Sequence, residues 1–211
     1  MTSSPLQNRV QPNGEIVATN HRGLFYGNRG GKIHDSKERK LHPTRRWATR
    51  QWICCVLQFK GRKRPLMGAG YTELFFLDEV TALAAGHRPC FECRCRDALL
   101  FANAWSASGT RTPAPQMDRT LHGQRLDGRD KRVSSVRWQD LPNGAMVQIN
   151  HHIIAKSKNG PLLWSHSGYQ PIKPAILPRA NQFVDCLTPP AILVVLANGY
   201  QPIWHPSANL D

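Results

Sequence analysis

The sequence predicts an α+β protein of small antiparallel sheets and hairpins joined by short helices. Short apolar runs of strand length are bounded by Gly, Pro and Asn residues, a pattern typical of strands separated by turns. Lys158-Asn159-Gly160 lies between two such runs and predicts a hairpin turn. Two short apolar segments end at Gly86 and Gly199, as helices commonly do. The 211 residues are enough for one large domain or two small ones.

The stretch from Tyr71 to Arg96 contains the most informative pattern of the chain. Residues 74–77 are a short apolar run of strand type. Asp78 is a good helix N-cap, because its carboxylate can accept hydrogen bonds from the free amides of the first turn. The helix is expected over residues 79–85, and Gly86 ends it by adopting a left-handed conformation without a Cβ clash. A second helix is expected from Asp97.

Cys90 and Cys93 follow this helix in the sequence His-Arg-Pro-Cys-Phe-Glu-Cys. Two thiolates with this spacing on a turn can bind the same ion, so the pair predicts half of a tetrahedral zinc site. A redox-active pair has the same spacing and is the alternative.

The run of strand, short Ala-rich helix and Gly-His-Arg-Pro-Cys-x-x-Cys resembles the metal-binding module of Ada-type DNA alkylation-repair proteins. The residues that carry the resemblance are Phe75, Phe76, Glu79, Ala82, Ala85, Gly86, Arg88, Pro89, Cys90 and Cys93. The resemblance is confined to residues 71–96 and implies an Ada-like zinc module in a protein that acts on DNA. The Pro-Cys-His-Arg signature of the methyltransferase is absent, so that activity is not implied.

Cys54 and Cys55 are the cysteines upstream of this turn. Ada-type modules take two upstream cysteines a few residues apart, whereas these two are adjacent. Neighbouring residues of a strand point to opposite faces, so one of the two is expected to reach the ion. The fourth ligand would be Cys95, His87 or another histidine. The candidate ligands for zinc are therefore Cys90, Cys93, Cys55 and Cys54, and the alternative is a set of reduced cysteines without a metal.

Positive charge is concentrated in one part of the chain. The net charge is +14, and residues 21–64 hold 13 Lys and Arg against Asp35 and Glu38. Cations interleaved with aromatic rings suit a nucleic acid, since the cations meet phosphates and the rings stack on bases. A solvated basic surface is the alternative. The residues expected to bind nucleic acid, with DNA favoured over RNA, are Asn28, Arg29, Lys32, Arg45, Arg46, Trp47, Arg50, Arg62, Lys63 and Arg64.

The chain divides into four segments by composition. We expect a loose tail over residues 1–14, a basic zinc-binding module over 15–106, a linker and a polar helix over 107–135, and a β-rich part over 136–211. The glycine-rich residues 23–35 are expected to form either a loop that grips phosphate or sugar, or an ordinary turn. Near the C-terminus, LTPPAILVVLANGYQP parallels LFFLDEVTALAAGHRP. It predicts a second, metal-free copy of the strand-helix-turn unit.

Two other motifs indicate enzymes. Pro89-Cys90-x-x-Cys93 is half of the zinc deaminase signature, but the upstream His-x-Glu that deaminases need is absent. Residues 150–160, which begin Asn-His-His, resemble the start of an HNH nuclease finger, although no second cysteine pair follows them. An ordinary hairpin is the alternative there.

The sequence thus predicts a zinc-containing nucleic-acid-binding protein that serves DNA repair or processing. An HNH-like nuclease or another nucleic-acid-modifying enzyme, and a basic scaffold protein without catalysis, are the alternatives. If the protein is an enzyme, the candidate catalytic residues are Glu73, His87, Glu92 and His122. The irregular spacing of the six cysteines and the lack of a signal-peptide pattern favour the cytoplasm. No apolar run is long enough to span a membrane.

Overall fold

The computed structural model of the protein describes residues 4–62, 65–106 and 110–209. The strands are β1 (Gln7–Val10), β2 (Ile16–Ala18), β3 (Phe25–Arg29), β4 (His34–Asp35), β5 (Lys40–Leu41), β6 (Trp52–Val56), β7 (Leu74–Phe76), β8 (Arg88–Pro89), β9 (Leu126–Asp127), β10 (Asp130–Lys131), β11 (Ser134–Arg137), β12 (Met146–Ile149), β13 (His152–Ser157), β14 (Gly160–Ser165), β15 (Gly168–Pro171) and β16 (Phe183–Cys186). The helices are α1 (Glu79–Ala84), α2 (Cys95–Asn103), α3 (Ala114–Arg125) and α4 (Pro190–Ala197). The fold class is therefore mixed α+β, with several small sheets and few short helices.

Two six-stranded sheets form most of the structure. The first has the order β2-β1-β7-β3-β6-β8 and the second has the order β11-β16-β12-β13-β14-β15. The second sheet is antiparallel throughout. The first differs from the prediction of antiparallel sheets, because β1 pairs with β7 and β6 pairs with β8 in parallel. These parallel pairs join segments that are distant in sequence, so a hairpin pattern does not predict them.

Helix α1 lies between the two sheets, and all six of its residues are buried. Ala82 packs with the apolar residues of the first sheet. Val80 and Ala84 pack against residues of the second sheet. Leu83 packs among residues of α2, α3 and α4. Three of the apolar clusters therefore meet at this one helix.

The start of α1 is fixed by two adjacent buried carboxylates. Asp78 accepts hydrogen bonds from the amide and hydroxyl of Thr81 at 2.9 and 2.7 Å, as the predicted N-cap. It also accepts from the Tyr169 hydroxyl at 2.9 Å and from the His205 amide at 3.0 Å. Burial raises the pKa of Asp78, while these hydrogen bonds oppose the rise.

Glu79 makes the second set of contacts. Its carboxylate accepts from Arg94 Nη2 at 2.8 Å, from the Tyr200 hydroxyl at 2.7 Å and from the Ile203 amide at 2.9 Å. The side chains of Glu79 and Arg94 are both almost fully buried. Glu79 thus ties α1 to the segment that precedes α2 and to the C-terminal segment.

The elements around α1 agree with the sequence prediction. Strand β7, the cap Asp78 and the left-handed Gly86, with φ of 85°, occur in the predicted order. A Cβ atom on Gly86 would also lie 2.7 Å from Arg125 Cδ, so glycine is required twice over. The C-terminal segment has the same order of strand β16, helix α4 and Gly199 with φ of 93°.

Two predictions differ from the structure in the N-terminal region. Residues 7–10 of the predicted loose tail form β1, because β1 hydrogen-bonds to strands on both sides and Val10 packs into the core. The predicted glycine-rich loop contains β3, which lies between β7 and β6. Gly27 is needed there because a Cβ atom would clash with the carbonyl oxygen of Ile53.

In the described ranges, no helix combines the length and the apolar character needed to cross a membrane.

We predict that Glu79→Gln lowers the free energy of unfolding by about 3–5 kcal/mol, because it leaves the buried Arg94 guanidinium without its charged partner. Urea unfolding at neutral pH measures this change. Glu92→Gln is the matched control, since Glu92 pairs with Arg62 on the surface and its loss should cost about 0–1 kcal/mol. Equal effects of the two variants would contradict the central role of Glu79.

Candidate metal centre

The side chains of the two adjacent cysteines of β6 point to opposite faces of the first sheet. The Cys54 thiol lies on the α1 side, where Arg94 Nη1 approaches it at 3.6 Å. Cys55 points to the other face, in register with Tyr26 of β3. Of the two adjacent cysteines, Cys55 is the one whose thiol lies with Cys90 and Cys93.

The parallel pairing of β6 with β8 brings the Cys-x-x-Cys turn to Cys55. Pro89 is in register with Cys54, and the Cys90 amide donates to the Cys54 carbonyl oxygen at 3.0 Å. The turn then closes with a hydrogen bond of 2.9 Å from the Arg94 amide to the Cys90 carbonyl oxygen. Helix α2 begins directly after it at Cys95.

The sulfur atoms of Cys55, Cys90 and Cys93 lie within 4.8 Å of one another and could bind a metal ion. Zinc–sulfur bonds of about 2.3 Å in a tetrahedron place sulfur atoms about 3.8 Å apart, so the three thiols fit zinc. Within the described part of the chain, no fourth His, Cys, Asp or Glu side chain joins this group. The structure does not bring Cys95 into it, and this residue is exposed.

The three thiols interact strongly with one another. Hydrogen bonds from Cys55 and Cys93, together with the amides of Cys93 and Glu92, lower the pKa of Cys90 to about 2 despite its partial burial. The same hydrogen bonding raises the pKa of Cys55. A negative charge is therefore stabilised at Cys90, which is the protonation state that a metal requires of its thiol ligands.

The cysteine cluster opens into a cavity of about 510 Å³, which we call the metal cavity. Its floor is the face of the first sheet that carries Tyr26, Asn28, Ile53 and Cys55. Its aromatic walls are formed by Tyr26, Phe59, Tyr71 and Phe75. Tyr71 remains 49% exposed at this cavity. A flat ring with polar edges therefore suits the cavity, because charged and amide side chains line it beside the aromatic rings.

Two of the four candidate catalytic residues line the metal cavity. Glu73 is buried and accepts a hydrogen bond of 3.0 Å from the Met67 amide. It precedes β7, which is separated from β6 by β3, so its strand lies about 10 Å from the strand of Cys55. Glu92 lies in the Cys-x-x-Cys turn, and its carboxylate is 2.6 Å from Arg62 Nη2.

The other two catalytic candidates lie outside the metal cavity. His87 is fully buried beside the rings of Trp52 and Phe76, at 5.0 and 4.7 Å between ring centroids. Neither of its ring nitrogens has a hydrogen-bond partner, which does not favour proton transfer to a substrate. His122 contacts the ring of Trp47 and Arg125 Nη2.

The residues predicted to bind nucleic acid are divided between the two faces of the first sheet. Asn28 and Arg62 line the metal cavity. Arg29 is buried on the opposite face, and its Nη2 donates to the Gly14 carbonyl oxygen at 2.6 Å. Residues 45–50, which we call the basic segment, expose Arg45, Arg46 and Arg50. Lys32 is exposed as well, whereas Lys63 and Arg64 lie outside the described residues.

Several cavity residues were not predicted from the sequence. Tyr26, Tyr71 and Phe75 line the metal cavity, and Arg125 and Lys131 lie near Arg29 on the other face. The alternation of side chains along β3 and β6 is the one signal that places Tyr26 with Cys55. For Arg125 and Lys131 the sequence holds no comparable signal.

Comparisons with models of known protein families, with curated proteins and with solved structures gave no match.

We predict that purified protein contains about one zinc ion per chain, and that Cys55→Ser, Cys90→Ser and Cys93→Ser each release it. Elemental analysis measures the content. The controls are Cys54→Ser and Cys95→Ser, which should retain the metal because neither thiol belongs to the cluster. Metal-free parent protein, or equal loss in Cys54→Ser and Cys55→Ser, would contradict this ligand set.

We predict that His87 contributes to acid destabilisation. Burial, with the nearby Arg29 and Arg125 cations, lowers the pKa of His87 well below its ordinary value. The unfolded chain therefore binds a proton below a pH of about 6.5 that the folded chain does not bind, and stability falls as the pH is lowered. His87→Phe removes this loss of stability, which is about 1.4 kcal/mol at pH 5.5.

Urea unfolding of the parent and of His87→Phe at pH 7.5 and 5.5 measures the contribution of His87 to acid destabilisation. The loss of stability between these pH values should be smaller in the variant. Since both proteins share every other histidine and the cysteine cluster, equal losses would show that His87 titrates normally.

Proposed function

We propose that this chain is a zinc-containing nucleic-acid-binding protein that acts in DNA repair or processing, and that its metal cavity admits a single nucleotide. The observation that carries the proposal is the arrangement of Cys55, Cys90 and Cys93 at a large open cavity. Structural zinc sites are usually closed by four protein ligands. Three ligands beside an open cavity are instead the pattern of a site that meets its substrate.

A zinc ion held by three thiolates would offer its remaining position to water or to a substrate atom and would polarise that atom. Other residues of the chain stabilise the thiolate charge and hold the turn in place. The amides of Glu92 and Cys93 stabilise negative charge at Cys90. The salt bridge from Arg94 to Glu79 holds the turn that carries Cys90 and Cys93 against α1.

The walls of the metal cavity suit a nucleobase. Tyr71, which is 49% exposed, and the half-buried Tyr26 offer ring surface for stacking. Asn28 and Glu73 add an amide and a carboxylate, which can hydrogen-bond to the polar edge of a base. Base stacking on such rings is tolerant of sequence.

The basic segment lies beside the metal cavity and supports binding of the nucleic-acid backbone. Thr49 and Gln51, within and after this segment, line the cavity. Arg45, Arg46 and Arg50 are exposed, and the described residues include no ion pair that involves them. Exposed cations without carboxylate partners remain available to phosphates.

A nucleic-acid-modifying enzyme is the second candidate function, and the observation that favours it is Glu73. A buried carboxylate in the same cavity as a metal site is a candidate for proton transfer. The HNH-like alternative gains no such support. Among the described residues, the cysteine cluster is the one group of three or more potential metal ligands, and it contains no histidine.

We predict that replacing Arg45, Arg46 and Arg50 together by Gln weakens binding to single-stranded DNA. Each lost phosphate contact reduces the slope of log affinity against log salt by about 0.7, so the triple variant should lose about 2 from this slope. Fluorescence anisotropy over a salt series measures it. The matched control replaces Arg111, Arg119 and Arg179, which are also exposed, and should keep the parent slope.

The same titration tests the cavity with Tyr71→Ala. A stacking contact is worth about 1–3 kcal/mol per base, so this variant should lose affinity for single strands and keep its affinity for duplex. Phe183→Ala is the control, because Phe183 is 61% exposed elsewhere on the surface. Salt-independent binding that is equal in all variants would favour the basic scaffold protein instead.

A further inference from the structure

A second cavity lies on the opposite face of the first sheet and has a different chemical character. Its volume is about 250 Å³, and we call it the cationic cavity. The charged residues that line it are the cations Arg29, Arg46, Arg125, Arg129 and Lys131 and the acids Glu15 and Asp130. Cations are therefore in clear excess, and both acids are exposed.

The inner cations are buried beside a single indole ring. The exposed fractions of Arg29 and Arg125 are 3% and 1%. Their guanidinium carbons lie 4.1 and 3.8 Å from the ring centroid of Trp52. A cation over an indole face is stabilised by the ring quadrupole, but the ring carries no counter-charge.

Backbone carbonyl groups hold these cations in place without neutralising them. Arg125 donates to the carbonyl oxygens of Gly86 and Arg50 at 2.8 and 2.7 Å. Lys131 Nζ donates to the Ala84 carbonyl oxygen at 2.5 Å. Among the described residues, neither Arg29 nor Arg125 nor Lys131 forms a salt bridge.

Three buried donors at this place are also without a hydrogen-bond partner. They are Nε of Arg29, Nε of Arg125 and Nε1 of Trp52. Buried donors are nearly always paired in folded proteins, so a cluster of unpaired donors beside a cavity indicates a ligand that supplies acceptors. The required ligand is an anion with several oxygen atoms.

The pKa shifts of the same three cations agree with this geometry. Burial, and then repulsion from neighbouring cations, lowers the pKa of Arg29 to about 9 and that of Arg125 to about 8. Burial also lowers the pKa of Lys131 to about 7. A bound anion would reverse these shifts, because an opposite charge favours the protonated form of each base.

We propose that the cationic cavity is a binding site for a phosphate monoester group. A dianion with three unsubstituted oxygen atoms can enter a recessed cavity and accept hydrogen bonds from arginine and lysine side chains. A phosphodiester within a continuous strand carries substituents on two sides and cannot enter to the same depth. The site does not depend on the metal cavity, which lies on the other face of the sheet.

Two kinds of molecule could supply this phosphate group. One is a nucleic-acid strand with a terminal phosphate, and the other is a free phosphorylated compound. The cavity has a volume of about 250 Å³. This is enough for a phosphate and part of its substituent. Arg46 belongs both to the lining of the cavity and to the basic segment, so a strand that ends at that segment would present its terminal phosphate to the site.

The first experiment measures thermal unfolding of the full chain at pH 7.5, in inorganic phosphate and in chloride at equal ionic strength. Phosphate should raise the midpoint in a saturable manner, because a ligand that binds the folded state stabilises it by mass action. Lys131→Gln and Arg129→Gln should each reduce this gain several-fold. Arg22→Gln, which removes a cation from the metal cavity, should keep it.

The midpoint in chloride separates a binding role of Lys131 from a structural one. Lys131 is half-buried and has no carboxylate partner among the described residues, so if it serves an anion, Lys131→Gln should leave the midpoint in chloride equal or raise it. A lower midpoint in chloride together with an unchanged gain in phosphate would overturn the proposal. Arg129 is exposed, so Arg129→Gln tests the site without disturbing the core.

The second experiment distinguishes the two sources with one oligonucleotide that carries either a 5′-phosphate or a 5′-hydroxyl group. Binding about tenfold tighter to the phosphorylated strand, lost in Lys131→Gln, identifies the strand end as the source. Stabilisation by inorganic phosphate with equal binding of both strands identifies a free phosphorylated compound. If phosphate does not stabilise the protein and the phosphorylated strand is not preferred, the proposed site is overturned, whatever the result for the basic segment.

Discussion

The buried carboxylates of Asp78 and Glu79 determine how the rest of the structure is arranged. They stand at the start of α1, a helix with no exposed residue, and together accept seven hydrogen bonds from four parts of the chain. Buried charges are stable only when such contacts replace their hydration. These contacts fix α1 between the two sheets and hold the C-terminal segment against its first turn.

The same interaction positions the candidate metal centre. Arg94 is bound by Glu79 and directly follows Cys93. The guanidinium also approaches the Cys54 thiol, on the strand that supplies Cys55 from its other face. The turn that carries Cys90 and Cys93 is therefore held by a fully buried ion pair, and its position depends on the packing of α1.

The first sheet separates two kinds of chemistry by the alternation of its side chains. On β3 and β6, Asn28, Ile53 and Cys55 face the metal cavity, whereas Arg29 and Trp52 face the cationic cavity. The basic segment precedes β6 and borders both cavities through Arg46 and Thr49. The clustered thiol of Cys55 is thus kept on one face and the buried guanidinium of Arg29 on the other, although the two strands are neighbours.

The sequence by itself determined the local elements and the kind of site. Asp78 and Gly86 define α1, the apolar runs define β6 and β7, and Cys90 and Cys93 define a turn whose thiols could bind a metal, since each depends on the conformational preferences of neighbouring residues. Alternation along a strand showed that one of Cys54 and Cys55 joins the turn. Only the tertiary structure decided that it is Cys55, because the parallel pairing of β6 with β8 selects the face. It also brought Arg29, Arg125 and Lys131 to one cavity, because long-range packing places residues together that are distant in sequence.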